Sequence, residues 1–188
     1  MSATGPGQSL LLLLDVVVLL DEQRIAYGVV GALAASVYGT VRATTDADAL
    51  VSVSAAKLGS LEKTLRKKGL TAKLHRGDID DPVLSLLAIS DRFSNRVDLL
   101  GGLRGLDPAA FERTLAVPFS GRTLRIIGRE DFIAMKCFAG GPQDMTDAQE
   151  ALRSAGRRID LDLLRRVTRR FGRPAADALE RLLAGAAE

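Results

Sequence analysis

Two aspartates, Asp46 and Asp48, lie two residues apart at the start of an apolar segment, Ala47–Val53. In a β-strand, side chains at this spacing project from the same face, and their backbone positions are roughly 6.5–7 Å apart. Two carboxylates arranged in this way can bind one divalent cation or a pair of them. We therefore expect a site for Mg²⁺ or Mn²⁺ at this point of the chain.

A glycine turn precedes the two acids. The segment Ile25–Val30 has the β-branched, apolar composition of a strand, and Gly31 separates it from a predicted short helix, Ala32–Tyr38. A helix that begins directly after a strand and a glycine directs free backbone N–H groups toward an anion. The turn and the acids together predict a site for phosphate and a divalent cation.

The order of these residues resembles a family signature. Gly31, Ser36 and the pair Asp46-x-Asp48 are similar to the signature of the nucleotidyltransferase superfamily with the DNA-polymerase-β-like fold. That signature ends with a third acid on a later strand, and Asp98 is the candidate here. The resemblance implies that Asp46, Asp48 and Asp98 bind the metal. It also implies that Asp98 acts on an acceptor hydroxyl, as a base or as a metal ligand.

A narrower resemblance covers two longer segments, Leu10–Val51 and Gly128–Leu152. Both are similar to the small bacterial nucleotidyltransferases of abortive-infection and toxin–antitoxin systems. In those relatives a helical lysine and an acid-rich helix complete the site, and Lys136, Asp144 and Asp147 hold the matching positions. The resemblance implies that Lys136 contacts nucleotide phosphates and that Asp147 or Asp144 supports catalysis. The alternatives are a lysine that extends to solvent and acids that favour a helix N-terminus.

The chain departs from the family pattern at two places. Ala32 stands where the turn usually has Gly or Ser, so a hydroxyl for the phosphate would have to come from Ser36 or Thr44. The relatives often carry a basic residue where this chain has Gly140, Gly141 and Pro142. Arg42, just before the acids, is suited either to phosphate or to a nearby carboxylate.

The resemblance implies an Mg²⁺-dependent enzyme that moves a nucleoside monophosphate from a nucleoside triphosphate to an acceptor hydroxyl. The acceptor would be a tRNA end or a protein, and the enzyme would be the toxin of a toxin–antitoxin or abortive-infection system, with an antitoxin as partner. Two alternatives stay open. One is a degenerate, non-catalytic protein that binds nucleic acid or a partner, and the other is a small-molecule nucleotidyltransferase of the aminoglycoside type.

The composition predicts one solid core, because the chain has 188 residues and 47% apolar content. Short strands and helices alternate over the first two thirds, and the last third is helical. We expect an α+β (α/β) nucleotidyltransferase fold, with a mixed sheet flanked by helices and a C-terminal helical bundle. Residues 1–127 would form the core and residues 128–188 a helical part that completes the site within a single compact unit.

The predicted elements follow from apolar periodicity and from Gly and Pro breaks. Besides those already named, strands are predicted at Thr71–His75, Val83–Ile89, Arg96–Leu100 and Thr123–Ile127. Helices are predicted at Ala55–Lys68, Pro108–Leu115, Glu130–Phe138, Thr146–Ser154, Leu161–Phe171 and Ala175–Leu183. The acidic run Asp78-x-Asp80-Asp81 precedes Pro82 and is predicted to be a loop.

Cysteine and apolar content restrict the location. Cys137 is the only cysteine, so an internal disulfide is excluded and a reducing cytoplasm is the simplest expectation. The apolar run Leu10–Leu20 is too short to span a membrane and contains Asp15. We expect it to be a buried helix with Ser9 as its N-cap.

Arginine is concentrated near the C-terminus. Eight arginines and only two acids lie between Arg153 and Arg173, which favours an anionic partner there. Four of them, Arg165, Arg166, Arg169 and Arg170, surround a predicted apolar seam. Such runs are more often solvated helix faces than nucleic-acid contacts, and no aromatic residue lies among these four for base stacking.

Overall fold

The fold is built on a seven-stranded mixed β-sheet. A computed structural model describes residues 3–40 and 43–185 of the chain. The strands lie in the order β3-β4-β5-β2-β1-β7-β6. Their bounds are β1 Tyr27–Val29, β2 Asp46–Val51, β3 Thr71–Arg76, β4 Val83–Ser90, β5 Arg96–Leu103, β6 Leu115–Phe119 and β7 Arg122–Ile126.

Two pairs of strands are parallel, namely β2 with β5 and β1 with β7. The other neighbouring strands are antiparallel. The mixed sheet confirms the predicted α+β class. The antiparallel pairing of β1 with β2 matters most for the site, since it places the end of β1 beside the start of β2, where the acids lie.

Seven α-helices accompany the sheet in the described part of the chain. They are α1 Ser9–Glu22, α2 Gly31–Val37, α3 Ala55–Lys67, α4 Arg129–Ala139, α5 Pro142–Ala155, α6 Leu161–Arg169 and α7 Arg173–Gly185. Helix α4 contacts α5, α6 and α7, and α6 contacts α7, so the last third of the chain forms the expected helical bundle. The division at residue 127 falls between β7 and α4, and the two-part organisation stays a prediction.

One face of the sheet forms part of the hydrophobic core. Ala47 and Ala49 of β2 and Val97 and Leu99 of β5 are almost completely buried. Helix α1 contacts β2 and β5, and α3 contacts β3 and β4. The residues of α1 from Leu12 to Leu20 are mostly buried. The helix is apolar nearly all round, as is typical of a core helix. No helix in ranges 3–40 and 43–185 has the length and apolarity needed to cross a bilayer.

The structure corrects one prediction in the middle of the chain. A helix was expected at Pro108–Leu115, but only a single 3₁₀ turn, Pro108–Phe111, forms there. Leu115 instead begins strand β6, which the sequence analysis did not predict. This strand pairs with β7 through a two-residue turn, Ser120-Gly121, in which both φ angles are positive, as a type I′ hairpin requires. Pro118 is tolerated because β6 is an edge strand.

Two further local predictions have opposite outcomes. Ser9 is not the N-cap of α1, because the helix begins at Ser9 itself and Gln8 precedes it. The Ser9 hydroxyl forms bonds outside the helix instead. The acidic run at residues 78–81 is a loop, as predicted, and the backbone N–H of Asp78 donates to Asp81 Oδ2 at 2.6 Å.

Candidate active site

The parallel pairing of β2 and β5 places the predicted acids side by side. Asp48 lies opposite Asp98, and Asp46 lies opposite Arg96. Residues opposite each other on neighbouring strands share a face, and their strands are about 4.8 Å apart. The carboxylates of Asp46, Asp48 and Asp98 therefore project from the same face of the sheet, away from the core residues Ala47 and Val97.

The environment of Asp98 disfavours a charged carboxylate. Its Oδ1 atom is buried and accepts no hydrogen bond from any residue that the structure describes. Burial raises the pKa of Asp98 above its usual value, and the negative charge of Asp46 raises it further, while Arg96 and His75 partly oppose the shift. A cation at this position would offset both the lost hydration and the repulsion between carboxylates.

Asp46 is held by the loop that precedes it. The Thr44 hydroxyl lies 2.8 Å from Asp46 Oδ1 and 2.9 Å from the Asp46 carbonyl oxygen. This arrangement orients the Asp46 side chain at the start of β2. Thr44 thus contacts the acid in the structure, and its contact with phosphate stays a prediction. Arg42 lies outside the described residues.

The glycine turn lies directly against Asp48. Gly31 has a φ of +63°, in the left-handed region, and Asp48 Oδ2 occupies the space that a Cβ at this position would fill. The backbone N–H of Val30 donates to the Asp48 carbonyl oxygen at 2.9 Å. The predicted strand, glycine and short helix are therefore present, and they contact the acid strand through Asp48.

The two small residues of the predicted phosphate turn have structural contacts of their own. Ala32 is buried, with 6% of its surface exposed. The Ser36 hydroxyl donates to the Ala32 carbonyl oxygen at 2.9 Å, one helical turn back. Ser36 therefore lies a full turn beyond Gly31 and bonds along its own helix. Phosphate binding by the backbone N–H groups of the turn stays a prediction.

Lys136 forms a second charged group with two acids of α5. Its Nζ atom lies 2.8 Å from Asp144 Oδ1 and 2.8 Å from Asp147 Oδ2. The side chain of Lys136 is only 12% exposed and that of Asp147 is 0% exposed, so the lysine does not extend into solvent. Gln143 donates to the other Asp147 oxygen at 3.0 Å. The structure thus brings Lys136, Asp144 and Asp147 together, and the implied roles of the three in nucleotide binding and catalysis stay predictions.

The departure from the family pattern at residues 140–142 forms the turn between these helices. Gly140 ends α4 with a φ of +68°, and Gly141 is the N-cap of α5. Pro142 is the first residue of α5, where its missing N–H is not needed. This tight turn brings Asp144 and Asp147 back over Lys136. The backbone geometry of the turn therefore explains why Gly140, Gly141 and Pro142 stand at these positions.

Comparisons with known proteins agree with this architecture. No protein-family model matches the chain, and no curated protein matches it. A solution structure of the antibiotic-resistance factor ANT(2'')-Ia matches with a TM-score of 0.59 and 16% identity, over 95% of this chain and 97% of that one. A crystal structure of ANT(2'')-Ia with adenylyl-2''-tobramycin matches with a TM-score of 0.56 and 16% identity, over 87% of this chain and 96% of that one.

A third match is an antigenic nucleotidyltransferase-like protein from Paracoccidioides brasiliensis. Its crystal structure has a TM-score of 0.50 and 13% identity, and the match covers 88% of this chain and 83% of that one. The chain has the nucleotidyltransferase fold. The predicted fold class and the resemblance to the nucleotidyltransferases are therefore confirmed. The narrower resemblance to abortive-infection and toxin–antitoxin proteins stays a prediction, as does the cytoplasmic location.

Within the nucleotidyltransferase fold of this chain, a junction that the sequence analysis missed links α2 to α4 and α5. The Tyr38 hydroxyl donates to the Ile127 carbonyl oxygen, and the Arg129 guanidinium lies 4.7 Å from the centre of the Tyr38 ring. Arg129 also donates to Ser154 Oγ at 2.7 Å, and Ser154 donates to the Tyr38 carbonyl oxygen at 2.6 Å. No local pattern marks these residues, because their contacts join distant segments.

Helix α2 lies between the two charged groups of the site, the acids of the β-sheet and the ion pairs of Lys136. Its first residue, Gly31, lies against Asp48, and the residue after its end, Tyr38, lies against Arg129 and Phe132. Phe132 is also near the other group, since the Lys136 ammonium lies 5.5 Å from the centre of its ring. The short helix α2, with its buried alanines, thus lies between the acids of the β-sheet and α4.

The face of the sheet that carries the acids also carries exposed cations on β3 and β5. Lys73 lies in the same cross-strand row as Ala88, Asp98 and Asp48. His75, two residues farther along β3, is exposed, as are Lys73 and Arg96. The small side chain of Ala88 is the only one between Lys73 and Asp98 in that row. The surface across β4 therefore carries positive charge on one side of Ala88 and the Asp98 carboxylate on the other.

The C-terminal arginines are partly used within the fold. Arg165 pairs with Glu180 at 2.9 Å, and Arg170 donates to the Gly105 carbonyl oxygen at 3.2 Å. Arg166 and Arg169 are exposed. Intramolecular contacts thus account for two of the four arginines that the sequence analysis considered for nucleic-acid contact, and contact of the others with nucleic acid stays a prediction.

Proposed function

We propose that this protein is a divalent-metal-dependent nucleotidyltransferase that transfers a nucleoside monophosphate from a nucleoside triphosphate to an acceptor hydroxyl. The observation that carries the proposal is the cross-strand pair Asp48 and Asp98, with the Gly31 turn against Asp48. This arrangement puts backbone N–H groups for phosphate beside carboxylates for a cation. The nucleotidyltransferase fold supports the same reaction class.

The metal fits the chemistry of the site residues. Carboxylate oxygens are the ligands that Mg²⁺ prefers, and the buried, unpaired Oδ1 of Asp98 beside like charge favours a cation. In the described ranges, no three acids or other ligands are already grouped as a metal site. Asp46, Asp48 and Asp98 would hold the ion after their side chains turn toward a shared point. Bound there, the ion supplies Lewis-acid stabilisation of phosphate charge.

The residues of this chain have distinct tasks in the proposed reaction. The acceptor oxygen forms a bond to the α-phosphorus, and the bond from that phosphorus to the bridging oxygen breaks, so pyrophosphate leaves. Asp98 receives the proton of the acceptor hydroxyl, or lowers the proton affinity of that hydroxyl as a metal ligand. The N–H groups after Gly31 hold the triphosphate, and Lys136 supplies positive charge after rearranging from Asp144 and Asp147.

The exposed cations beside Asp98 favour an anionic acceptor. Lys73 and Arg96 would attract phosphate groups next to the reacting hydroxyl, and a tRNA end carries both a hydroxyl and phosphates. We therefore favour RNA over a protein acceptor. A role as the toxin of a toxin–antitoxin or abortive-infection system, with an antitoxin partner in the cytoplasm, belongs to the same proposal.

A small-molecule acceptor is the second candidate. It is favoured by the structural match to ANT(2'')-Ia, whose crystal structure contains adenylyl-2''-tobramycin. The cations on the open face distinguish the two candidates, because a polyamine acceptor such as tobramycin would be repelled by Lys73 and Arg96.

Label transfer tests the proposal. The protein is incubated with Mg²⁺ or Mn²⁺ and each α-³²P-labelled triphosphate, with total RNA, tobramycin or no acceptor. We expect metal-dependent labelling of RNA, and its loss in Asp48→Asn and Asp98→Asn. Asp80→Asn, in the exposed loop at residues 78–81, is the matched control and should retain activity. Labelling of tobramycin alone would support the second candidate, and binding of triphosphate without any transfer would support the degenerate, non-catalytic alternative.

A further inference from the structure

Ser9 joins the starts of the two strands that carry the acids. It is the first residue of α1 and is 5% exposed. Its hydroxyl donates to the Thr45 carbonyl oxygen at 2.6 Å and accepts from the Arg96 backbone N–H at 3.0 Å. Thr45 immediately precedes Asp46, and Arg96 lies two residues before Asp98. One buried hydroxyl therefore bonds to both segments.

Both hydrogen bonds of the Ser9 hydroxyl lie where the ladder between β2 and β5 begins. The first residues in register between β2 and β5 are Asp46 and Arg96. The ends of a ladder fray more readily than its centre, because they have hydrogen-bonded neighbours on one side only. The Ser9 hydroxyl bridges the two backbones at this end and takes the place of a further ladder bond.

We infer that Ser9 is a positioning residue that sets the separation of Asp46 and Asp48 from Asp98. The inference rests on the proposed function in one respect, that these acids bind a divalent cation together. Side chains that orient metal ligands without touching the metal typically change metal affinity by about 10- to 100-fold when removed. Ser9 acts through the backbones of the ligand strands, and its loss would let the two strand ends shift relative to each other.

Neighbouring bonds keep Ser9 in place. The backbone N–H of Gln8 donates to Asn95 Oδ1 at 2.7 Å, and Asn95 Nδ2 donates to the Gly5 carbonyl oxygen at 2.9 Å and to Asp91 Oδ2 at 2.8 Å. Asn95 is 1% exposed. The segment before α1 is thus bonded to the turn between β4 and β5, immediately before the strand that carries Asp98. This network orients the Ser9 hydroxyl toward Thr45 and Arg96.

Ser85 provides a matched control in the same sheet. It is 3% exposed, and its hydroxyl lies 3.3 Å from the Gly101 carbonyl oxygen, at the end of β5 far from Arg96. Ser9→Ala and Ser85→Ala each remove one buried hydroxyl that bonds to β5. Both are expected to lower the thermal midpoint, but only Ser9→Ala should disturb the acids.

The experiment combines amide hydrogen exchange with Mn²⁺ titration of wild type, Ser9→Ala, Ser9→Thr and Ser85→Ala. We expect Ser9→Ala to speed exchange at the Arg96 amide and to weaken Mn²⁺ binding about tenfold. Ser9→Thr keeps the hydroxyl and should restore both properties, whereas Ser85→Ala should bind Mn²⁺ like wild type.

Two results would overturn the inference. One is an Arg96 amide in Ser9→Ala that exchanges as slowly as in wild type. The other is a loss of Mn²⁺ affinity in Ser85→Ala as large as that in Ser9→Ala, which would indicate general destabilisation. A wild-type protein that binds no Mn²⁺ would contradict the proposed function instead, and exchange at Arg96, with rescue by Ser9→Thr, would then decide whether Ser9 holds the strands.

Discussion

Asp48 Oδ2 occupies the space that a side chain at position 31 would fill. Gly31 is therefore required twice, once because its φ of +63° disfavours other residues and once because the Asp48 carboxylate lies against it. The phosphate turn and the acid strand are in this way built as one unit. A change in either residue is expected to move the other.

Replacement of Gly31 by alanine should disrupt the site more than the fold. The left-handed backbone costs a non-glycine residue roughly 1–2 kcal/mol, and the added Cβ must also displace the Asp48 carboxylate. Gly69→Ala is the control, because Gly69 has a φ of +84° with open space around its Cβ position. Both variants should lose thermal stability, but only Gly31→Ala should lose metal-dependent triphosphate binding in a calorimetric titration. Equal binding by the two variants would contradict the contact.

Asp98→Asn should stabilise the metal-free protein at neutral pH. The folded-state pKa of Asp98 is raised, chiefly by burial, so both folded and unfolded chains hold the proton well below pH 4 and no penalty exists there. As the pH rises from the unfolded-state pKa through the raised folded-state pKa, the unfolded chain ionises first and the folded state loses stability. Thermal midpoints measured with EDTA between pH 3 and pH 8 should show a gain for Asp98→Asn that vanishes in acid.

Asp91→Asn should show the opposite pH dependence. Burial opposes ionisation of Asp91, but hydrogen bonds from Asn95 and from the Phe93 backbone outweigh it and lower its pKa. Ionised Asp91 therefore contributes stability that is lost as the pH falls through the folded-state pKa. Asp91→Asn should lower the thermal midpoint at pH 7 and match wild type in acid. Parallel curves for Asp91→Asn and Asp98→Asn would contradict the assigned environments.

Lys136→Ala should destabilise the bundle strongly. It leaves Asp147 with a fully buried carboxylate and removes its cation, a change that typically costs about 3–5 kcal/mol. The double variant Lys136→Met/Asp147→Leu removes both charges and should be more stable than Lys136→Ala, in urea unfolding followed by circular dichroism. Greater stability of the single variant would argue against the buried pair.

The same double variant separates a structural role of Lys136 from a role in nucleotide binding. If the folded double variant binds triphosphate as tightly as wild type, Lys136 serves the bundle alone. If binding is lost while the fold is kept, the ammonium leaves Asp144 and Asp147 to contact phosphate, as we propose.

Cys137 should be inert to thiol reagents in the folded protein. Burial raises the pKa of its thiol to about 11, and 3% of its surface is exposed. At pH 8 only roughly one thiol in a thousand would be ionised, and the thiolate is the reactive form. A disulfide reagent followed by absorbance should label Cys137 only after denaturant is added. Rapid labelling of native protein would show that α4 opens readily.

The local parts of the site follow from the amino-acid sequence. The i and i+2 spacing of Asp46 and Asp48 places both on one strand face whatever the rest of the chain does, because the pleat alternates at every residue. The strand, glycine and short helix around Gly31 are also local, since β-branched residues, a left-handed glycine and small helix formers favour those conformations over a few residues. The residues that lie opposite Arg96 and Asp98, by contrast, depend on which strands become neighbours.

Tertiary structure decided the contacts between distant segments. Strand β6 pairs with β7 from Leu115 onward, whereas the composition of residues 108–115 predicted a helix where a single 3₁₀ turn forms. Ser9 has the composition of an N-cap signal, yet packing of α1 against β2 and β5 directs its hydroxyl to Thr45 and Arg96. Lys136 meets Asp144 and Asp147 because the turn at residues 140–142 reverses the chain. The family resemblance grouped these three residues, but only the fold shows that they pair with one another and that Asp147 is buried.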